Sequence, residues 1–334
     1  MITRAKRHII LTVLLVVMVL LTTGFLTSCS ADDGAGSNTP KLQEIDFKAD
    51  VWKMVEGTRA ATFDNATALQ TEAHFTCVAY EAGTLTAYIP ATTVDWDAED
   101  TQWEFNGGAS HYYWPLPSTP GGTYPSLDFF GYMPSAANLS TEAPYIGSIN
   151  YTAGHNVTFT CSGLPMTSAG QDDDLKEFVF GMALDKSYSN ASSGVPLQFQ
   201  HPFARVKLQL SESQAKAITI NTITFKSIKN NGSYDYSSGW TTTGDATNFV
   251  VTLNQAYSVT GSVQDIGVPY IMIPQGWGGD IEVVATWNDW GAELTHKVTA
   301  SVPTTWAAGY SYTYSFTITA TDLIVSTTKY TEQW

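Results

Sequence analysis

Outside the first 29 residues the side chains most able to bind a metal or move a proton are five histidines, His74, His111, His155, His201 and His296. No two of them stand four apart, the spacing by which a helix holds zinc. There is no G-x-S-x-G elbow, phosphate-binding loop or GxGxxG turn. Asp172, Asp173 and Asp174 are consecutive, whereas a calcium loop places its ligands at alternating positions, so they read as a solvated loop. Carboxylate pairs such as Asp95 and Asp97 occur on any acidic surface. The two carboxylates of a glycosidase need not be close in sequence, so spacing alone leaves that chemistry open. The residues themselves point to no enzyme, no cofactor and no metal.

Two other features could matter chemically. Arg59 lies in a Thr/Arg/Ala stretch and is one of two arginines beyond residue 29. An exposed arginine there is an easy cut for a trypsin-like protease, and equally an ordinary solvated loop residue. Tyr112, Tyr113, Trp114 and Tyr124 lie in a proline-rich stretch. They could form a platform for sugar rings, although aromatic residues serve as well in core and loop packing.

The elements that would position these residues are strands. At 334 residues the chain is long enough for about two domains, each with its own core. Gly, Tyr and Trp are abundant and charged residues make up only 14%, the balance of a β-rich extracellular protein. Short β-branched or aromatic runs bounded by Gly, Asn, Asp or Pro follow one another to the C-terminus, with no helical crossovers between them. That succession predicts antiparallel sandwiches and not a parallel sheet. HPFARVKLQL, from His201 to Leu210, alternates as a half-buried strand, HFTCVAY and GTLTAYIP form a hairpin, and LDFFGYMP is a short buried strand. Only SESQAKA looks briefly helical. IDFKADVWKMVEGT, residues 45 to 58, suits either a strand or a short amphipathic segment.

Residues 1 to 28 have a basic start, an apolar run from Ile9 to Leu21 and a small, polar end. The apolar run is short for a membrane span, so the segment reads as a removable signal peptide. Its removal leaves 13 basic side chains against 31 acidic ones and moves the formal charge from −15 to −18. A surface that acidic argues against binding nucleic acid or anionic membranes through charge. Cys77 and Cys161 lie in apolar alternating runs, where a disulfide and two buried thiols are both open readings.

Several segments, in one order along the chain, resemble the fimbrillin family of Bacteroidetes, the subunits of type V pili. They are Leu26-Thr27-Ser28-Cys29, similar to a lipobox; Thr58-Arg59-Ala60 before Phe63; Trp114 with LDFFGYMP; QDDDLKEFVFGMA; and QFQHPFARVKLQL. Gly239-Trp240 after NNGSY, the run Tyr270 to Gln275, and the run Trp306 to Tyr314 complete the set. The resemblance covers nearly all of the chain after Cys29. It implies an all-β fold of two tandem transthyretin-like antiparallel β-sandwich domains, residues 45–190 and 191–334, behind the signal peptide (1–28) and a flexible tether (29–44).

The same resemblance implies a lipoprotein precursor, acylated on Cys29 and held at the outer membrane on the cell surface. Ser30-Ala31-Asp32-Asp33 resembles the acidic signal that sends such lipoproteins there. In the family a protease cuts at an arginine, the N-terminal strand leaves, and a strand of a neighbouring subunit fills the groove. Carried onto this chain, the displaced strand lies within residues 45–58 with Phe47, Val51 and Val55 as pocket fillers. Arg59 is then the cut, and the stretch Leu323 to Tyr330, led by Leu323, Ile324 and Val325, is a candidate donor. The implied partners are other fimbrial subunits and membrane lipid, with no nucleic acid and no cofactor. The alternative is a surface glycan-binding lipoprotein using Tyr112, Tyr113, Trp114 and Tyr124.

Overall fold

The alternating run after His201 becomes strand Ala204–Glu212, with Ala204, Val206, Leu208 and Leu210 all buried on one side. A period of two in the sequence is thus a wall of a core. The computed structural model describes residues 42–51, 66–72, 74–152, 155–171, 174–212, 217–258, 263–287, 293–299, 305–318 and 323–333. All of these fall in one unit, Leu42–Trp334.

In chain order the strands are β1 (Asp50–Val51), β2 (His74–Glu81), β3 (Ala87–Asp97), β4 (Gln102–Phe105), β5 (Leu127–Met133), β6 (Ile146–Thr152), β7 (Asn156–Cys161), β8 (Val179–Lys186), β9 (Gln198–Gln200) and β10 (Ala204–Glu212). They continue with β11 (Ala217–Ile228), β12 (Asn231–Asp235), β13 (Gly239–Thr243), β14 (Thr247–Ser258), β15 (Gln264–Met272), β16 (Asp280–Trp287), β17 (Glu293–Thr299), β18 (Tyr310–Ile318) and β19 (Leu323–Gln333). A seven-residue helix, α1 (Ala66–Glu72), buries Leu69.

The strands form four sheets. A seven-stranded sheet runs β1-β9-β8-β5-β2-β3-β4, and three four-stranded sheets run β13-β12-β7-β6, β15-β10-β18-β19 and β14-β11-β16-β17. The last two enclose one core, built around Val206, Ile220, Phe225, Trp306 and Tyr314. The seven-stranded sheet is covered on both faces. Phe129 faces a core with Phe75 and Trp114, while its neighbour Phe130 faces the opposite core with Phe159 and Phe180. This is why LDFFGYM is apolar without alternation. The architecture is the all-β sandwich fold that the pattern of short strands predicts.

The sheets do not divide at a single point in the chain. β9 completes the seven-stranded sheet, and the β12–β13 hairpin pairs through β12 with β7. Tyr234 stacks on Phe159 at 4.9 Å, and the Trp240 indole N–H donates to the Pro202 carbonyl. Two buried glutamines fasten the same region. The Gln171 amide donates to the Ile271 carbonyl and accepts from its N–H, and the Gln275 amide does the same with Lys229. Gln171 comes from the stretch QDDDLKEFVFGMA and Gln275 from YIMIPQ, so two of the resembling segments meet as one joint.

Asp235, the last residue of β12 before the turn of that hairpin, yields a pH dependence. Its carboxylate accepts from the Ser237 hydroxyl, the Asn156 amide and the backbone N–H groups of Ser237 and Ser238. These bonds, led by the Ser237 hydroxyl, hold it down to about 2. A carboxyl lowered by folding contributes stability that is present above its unfolded value, about 3.9, and is lost as pH falls from there through about 2. Asp235→Asn is expected to flatten that part of the curve, measured as Tm between pH 2 and 5, and to change Tm little in slope above pH 5.

Of the stretch SESQAKA, Ser211 and Glu212 end β10 and Ala217 begins β11, where the apolar alternation on either side runs through to them, and residues 213–216 lie outside the described residues. α1 falls in a stretch with no strong periodicity and is fixed by burying Leu69. Cys77 and Cys161 are free and buried, one in the core on each face of the seven-stranded sheet. Burial pushes both thiols up, Cys161 to about 12. Neither is expected to react with a thiol reagent at pH 8 while the chain is folded, and both are expected to react in 6 M guanidinium.

Candidate functional site

The segment Gln43 to Val51 reads as strict alternation: Glu44, Asp46, Lys48 and Asp50 are exposed, and Ile45, Phe47 and Ala49 are buried. It is extended, and it bonds to two separate parts of the seven-stranded sheet's surroundings. At its start the Trp114 N–H donates to the Gln43 carbonyl and the Ile45 N–H to the Tyr112 carbonyl, with Glu44 opposite Tyr113 in antiparallel register. Further on, Val195 N–H donates to Asp46, Lys48 N–H to Val195 and Asp50 N–H to Leu197, all at carbonyls, and β1 then pairs in parallel with β9. The parallel pairing sets β1 apart, since every other pairing within this sheet is antiparallel.

Phe47 is the centre of the contact. Its ring meets Phe75 at 5.5 Å, Phe105 at 5.3 Å and Phe129 at 6.0 Å, in each case edge to face. Burying Ile45 and Phe47 contributes about 3–6 kcal/mol by the usual cost of exposing such side chains. Gly194, at φ +114°, makes the approach possible: a Cβ there would stand 3.2 Å from the Phe47 carbonyl carbon and 3.4 Å from the Lys48 nitrogen. On the outside Glu44 pairs with His111 at 2.6 Å and the Lys48 ammonium donates to the Ser193 hydroxyl at 3.2 Å. Such exposed pairs contribute little and serve register more than strength. Asp46 is exposed but partly desolvated beside the groove, and this desolvation, then the neighbouring Glu44 carboxylate, raises it above its ordinary value.

Of the predicted displaced strand, Phe47 sits in this groove and Val51 pairs by its backbone with Phe199. Val55, Arg59 and Cys29 lie outside the described residues, as do Asp172 and Asp173. Ile45 and Ala49 were not singled out by sequence, although they share Phe47's parity and alternate with charges. The candidate donor residues Leu323, Ile324 and Val325 stand in β19, which pairs with β18 from Ile318 opposite Leu323 to Tyr310 opposite Gln333. Ile324 is 55% exposed.

The four aromatic residues considered for sugar binding do not form a platform. Trp114 is only 2% exposed, its ring 5.7 Å from Phe129 inside the core, so it has no face to offer. Tyr112 packs on Phe105 at 4.7 Å, and Tyr124 lies apart, against Tyr188. Tyr113 alone is exposed, at 37%. The core needs bulk where the chain passes beside the 43–51 segment, and that need places Trp114.

Two further polar groupings stand out. His201 Nδ1 lies 3.0 Å from a Glu177 carboxylate oxygen, both side chains being buried where the chain leaves β9 for β10. Carboxylates of Asp97, Asp100 and Glu104 gather within 4.8 Å on the β3–β4 turn. There Asp97 accepts from the backbone N–H groups of Glu99 and Asp100, a turn on an acidic surface.

Comparison with known proteins places this geometry. A sequence profile described as fimbrillin-like matches residues 58–334. A fimbrial protein from Bacteroides vulgatus superposes with TM-score 0.56 at 13% identity, over 85% of this chain and 98% of that one. A candidate cell adhesion protein from Bacteroides uniformis superposes with TM-score 0.52 at 15% identity, over 87% and 98%. Another from Bacteroides ovatus gives 0.51 at 14%, over 88% and 99%. No curated protein sequence matches. At such identities the superpositions speak for the fold, and the profile, covering most of the chain, decides the family: this protein is a member of the fimbrillin-like family.

Proposed function

We propose that the chain is a non-catalytic structural or adhesive subunit of a cell-surface fimbria, exported as a lipoprotein acylated at Cys29 and assembled by strand exchange. In this reading, cleavage at Arg59 frees the segment that carries Ile45, Phe47 and Ala49. The groove it leaves takes a strand from a neighbouring subunit. The observation that carries the proposal is the 43–51 segment itself. It lies at the edge of the sheet, held by main-chain bonds to residues 112–114 and 195–197 and by the β1–β9 pairing, and it fills an aromatic core. Its departure would leave unpaired N–H and C=O groups on β9 beside apolar pockets at every second residue, the template for strand addition. The family match starts at residue 58 and leaves this segment outside. The division into sandwich domains 45–190 and 191–334 belongs to the same proposal, with β9 and the β12–β13 hairpin reaching from the second segment into the sheets of the first.

The test is limited trypsin digestion of residues 30–334 followed by mass spectrometry, with a labelled peptide of residues 42–51 then offered to the product. One early cut at Arg59, release of the N-terminal fragment and uptake of one peptide per chain are expected. Resistance at Arg59, or a cut chain that keeps its fragment through gel filtration and takes up no peptide, would count against strand exchange.

A further inference from the structure

Resting on the strand-exchange reading, we infer that the groove selects its occupant by an apolar-x-aromatic-x-small pattern and that the strand which fills it is one of another subunit carrying that pattern, not the C-terminal strand of a second copy of this chain. The native occupant sets the pattern: Ile45, Phe47 and Ala49 are its buried residues. The central position is the strictest. Three phenylalanine rings, Phe75, Phe105 and Phe129, stand edge to face around Phe47 at 5.3–6.0 Å, and a smaller side chain leaves that space unfilled. Gly194 sets the backbone spacing, since its bare Cα lies against the Phe47–Lys48 peptide. The incoming main chain must come as close.

The chain's own C-terminal strand does not carry this pattern. Along β19, Leu323-Ile324-Val325-Ser326-Thr327-Thr328-Lys329-Tyr330-Thr331-Glu332-Gln333, the aromatic residue is Tyr330. Seating Tyr330 in the central pocket puts Thr328 where Ile45 lies and Glu332 where Ala49 lies, and a buried carboxylate is costly. Seating Val325 there puts Leu323 and Thr327 on either side and leaves the ring pocket part empty. β19 is also already engaged along its length with β18, so offering it would break one sheet to complete another. The fitting partner is a strand of another subunit with an apolar residue, an aromatic one and a small one at i, i+2 and i+4, and polar residues between.

Residues 30–334, opened at Arg59 or at a specific protease site placed at residue 59, are offered three labelled peptides: residues 42–51, the same peptide with Phe47→Val, and residues 323–333. The 42–51 peptide is expected to bind. The Phe47→Val peptide should bind at least about thirtyfold more weakly, as deletion of packed ring atoms predicts. The 323–333 peptide should not compete, and the opened chain alone should run as a monomer on an unboiled denaturing gel. Capture of 323–333 as tightly as 42–51, or a ladder of multimers from the opened chain alone, overturns the selection while leaving strand exchange standing. An opened, folded chain that takes none of the three overturns strand exchange and the selection with it.

Discussion

Phe47→Ala is expected to loosen the docking of the 43–51 segment by about 3–5 kcal/mol, the usual cost of removing a buried ring. Three aromatic neighbours lose their partner together. The loss has a ceiling, because an N-terminal segment can leave without unfolding the rest. Global stability can fall only by what docking of the segment contributes. The variant should therefore show a modest fall in urea midpoint but a large rise in amide exchange at Ile45, Lys48 and Val195, and faster trypsin cleavage at Arg59. Deuterium exchange with mass spectrometry checks the first and a digestion time course the second. Loss of protection across β2, β5 and β8 as well would mean that the segment is integral to folding rather than detachable.

The second large effect lies at the joint between sandwiches. His201→Ala is expected to cost about 1–3 kcal/mol, the usual penalty for removing one partner of a buried hydrogen bond. Glu177 is held at 3.0 Å from His201 with both side chains buried, so the variant removes a hydrogen-bond partner from a carboxyl group with little water near it. The loss should be shared. Trp114 lies in the core of the seven-stranded sheet and Trp306 in the core of the other sandwich, while the β12–β13 hairpin and Gln171 tie the two parts together. Fluorescence of chains that retain one or the other of these tryptophans should report the same shifted midpoint in urea. Separate transitions would show that the joint does not couple the sandwiches.

Much of this architecture is legible in the sequence, and the reasons are local. Val206, Leu208 and Leu210 alternate with polar or charged residues, so a single pass identifies strand and buried face. Phe129 and Phe130 are consecutive, which reveals a strand covered on both sides. Ile45-Asp46-Phe47-Lys48-Ala49-Asp50 alternates just as cleanly, yet residues 45 to 58 could equally be taken as amphipathic. The segment's strand form comes from partners at 112–114 and 195–197 that are remote in sequence. The same remoteness hides the His201–Glu177 pair and the clamp of Gln171 on Ile271, since a buried hydrogen bond leaves no periodic trace. Trp114 misled because a proline-rich aromatic stretch looks the same whether its rings face solvent or core. Gly194 is invisible for another reason: its importance lies in the absence of a side chain against the Phe47–Lys48 peptide.

The central claim, that the N-terminal strand must leave before another can enter, is tested most directly by locking it in place. Glu44 and Tyr113 are directly opposite in antiparallel register and exposed, so cysteines at both positions lie within the reach of a disulfide without disturbing the core. The Glu44→Cys/Tyr113→Cys chain, residues 30–334, is oxidised, cut at Arg59 and offered the labelled 42–51 peptide with and without dithiothreitol. Peptide uptake is predicted only after reduction, reaching the level of the cut chain without the added cysteines. Equal uptake by the oxidised, cut chain would contradict the claim, because the groove would then be occupied and the peptide bound somewhere else.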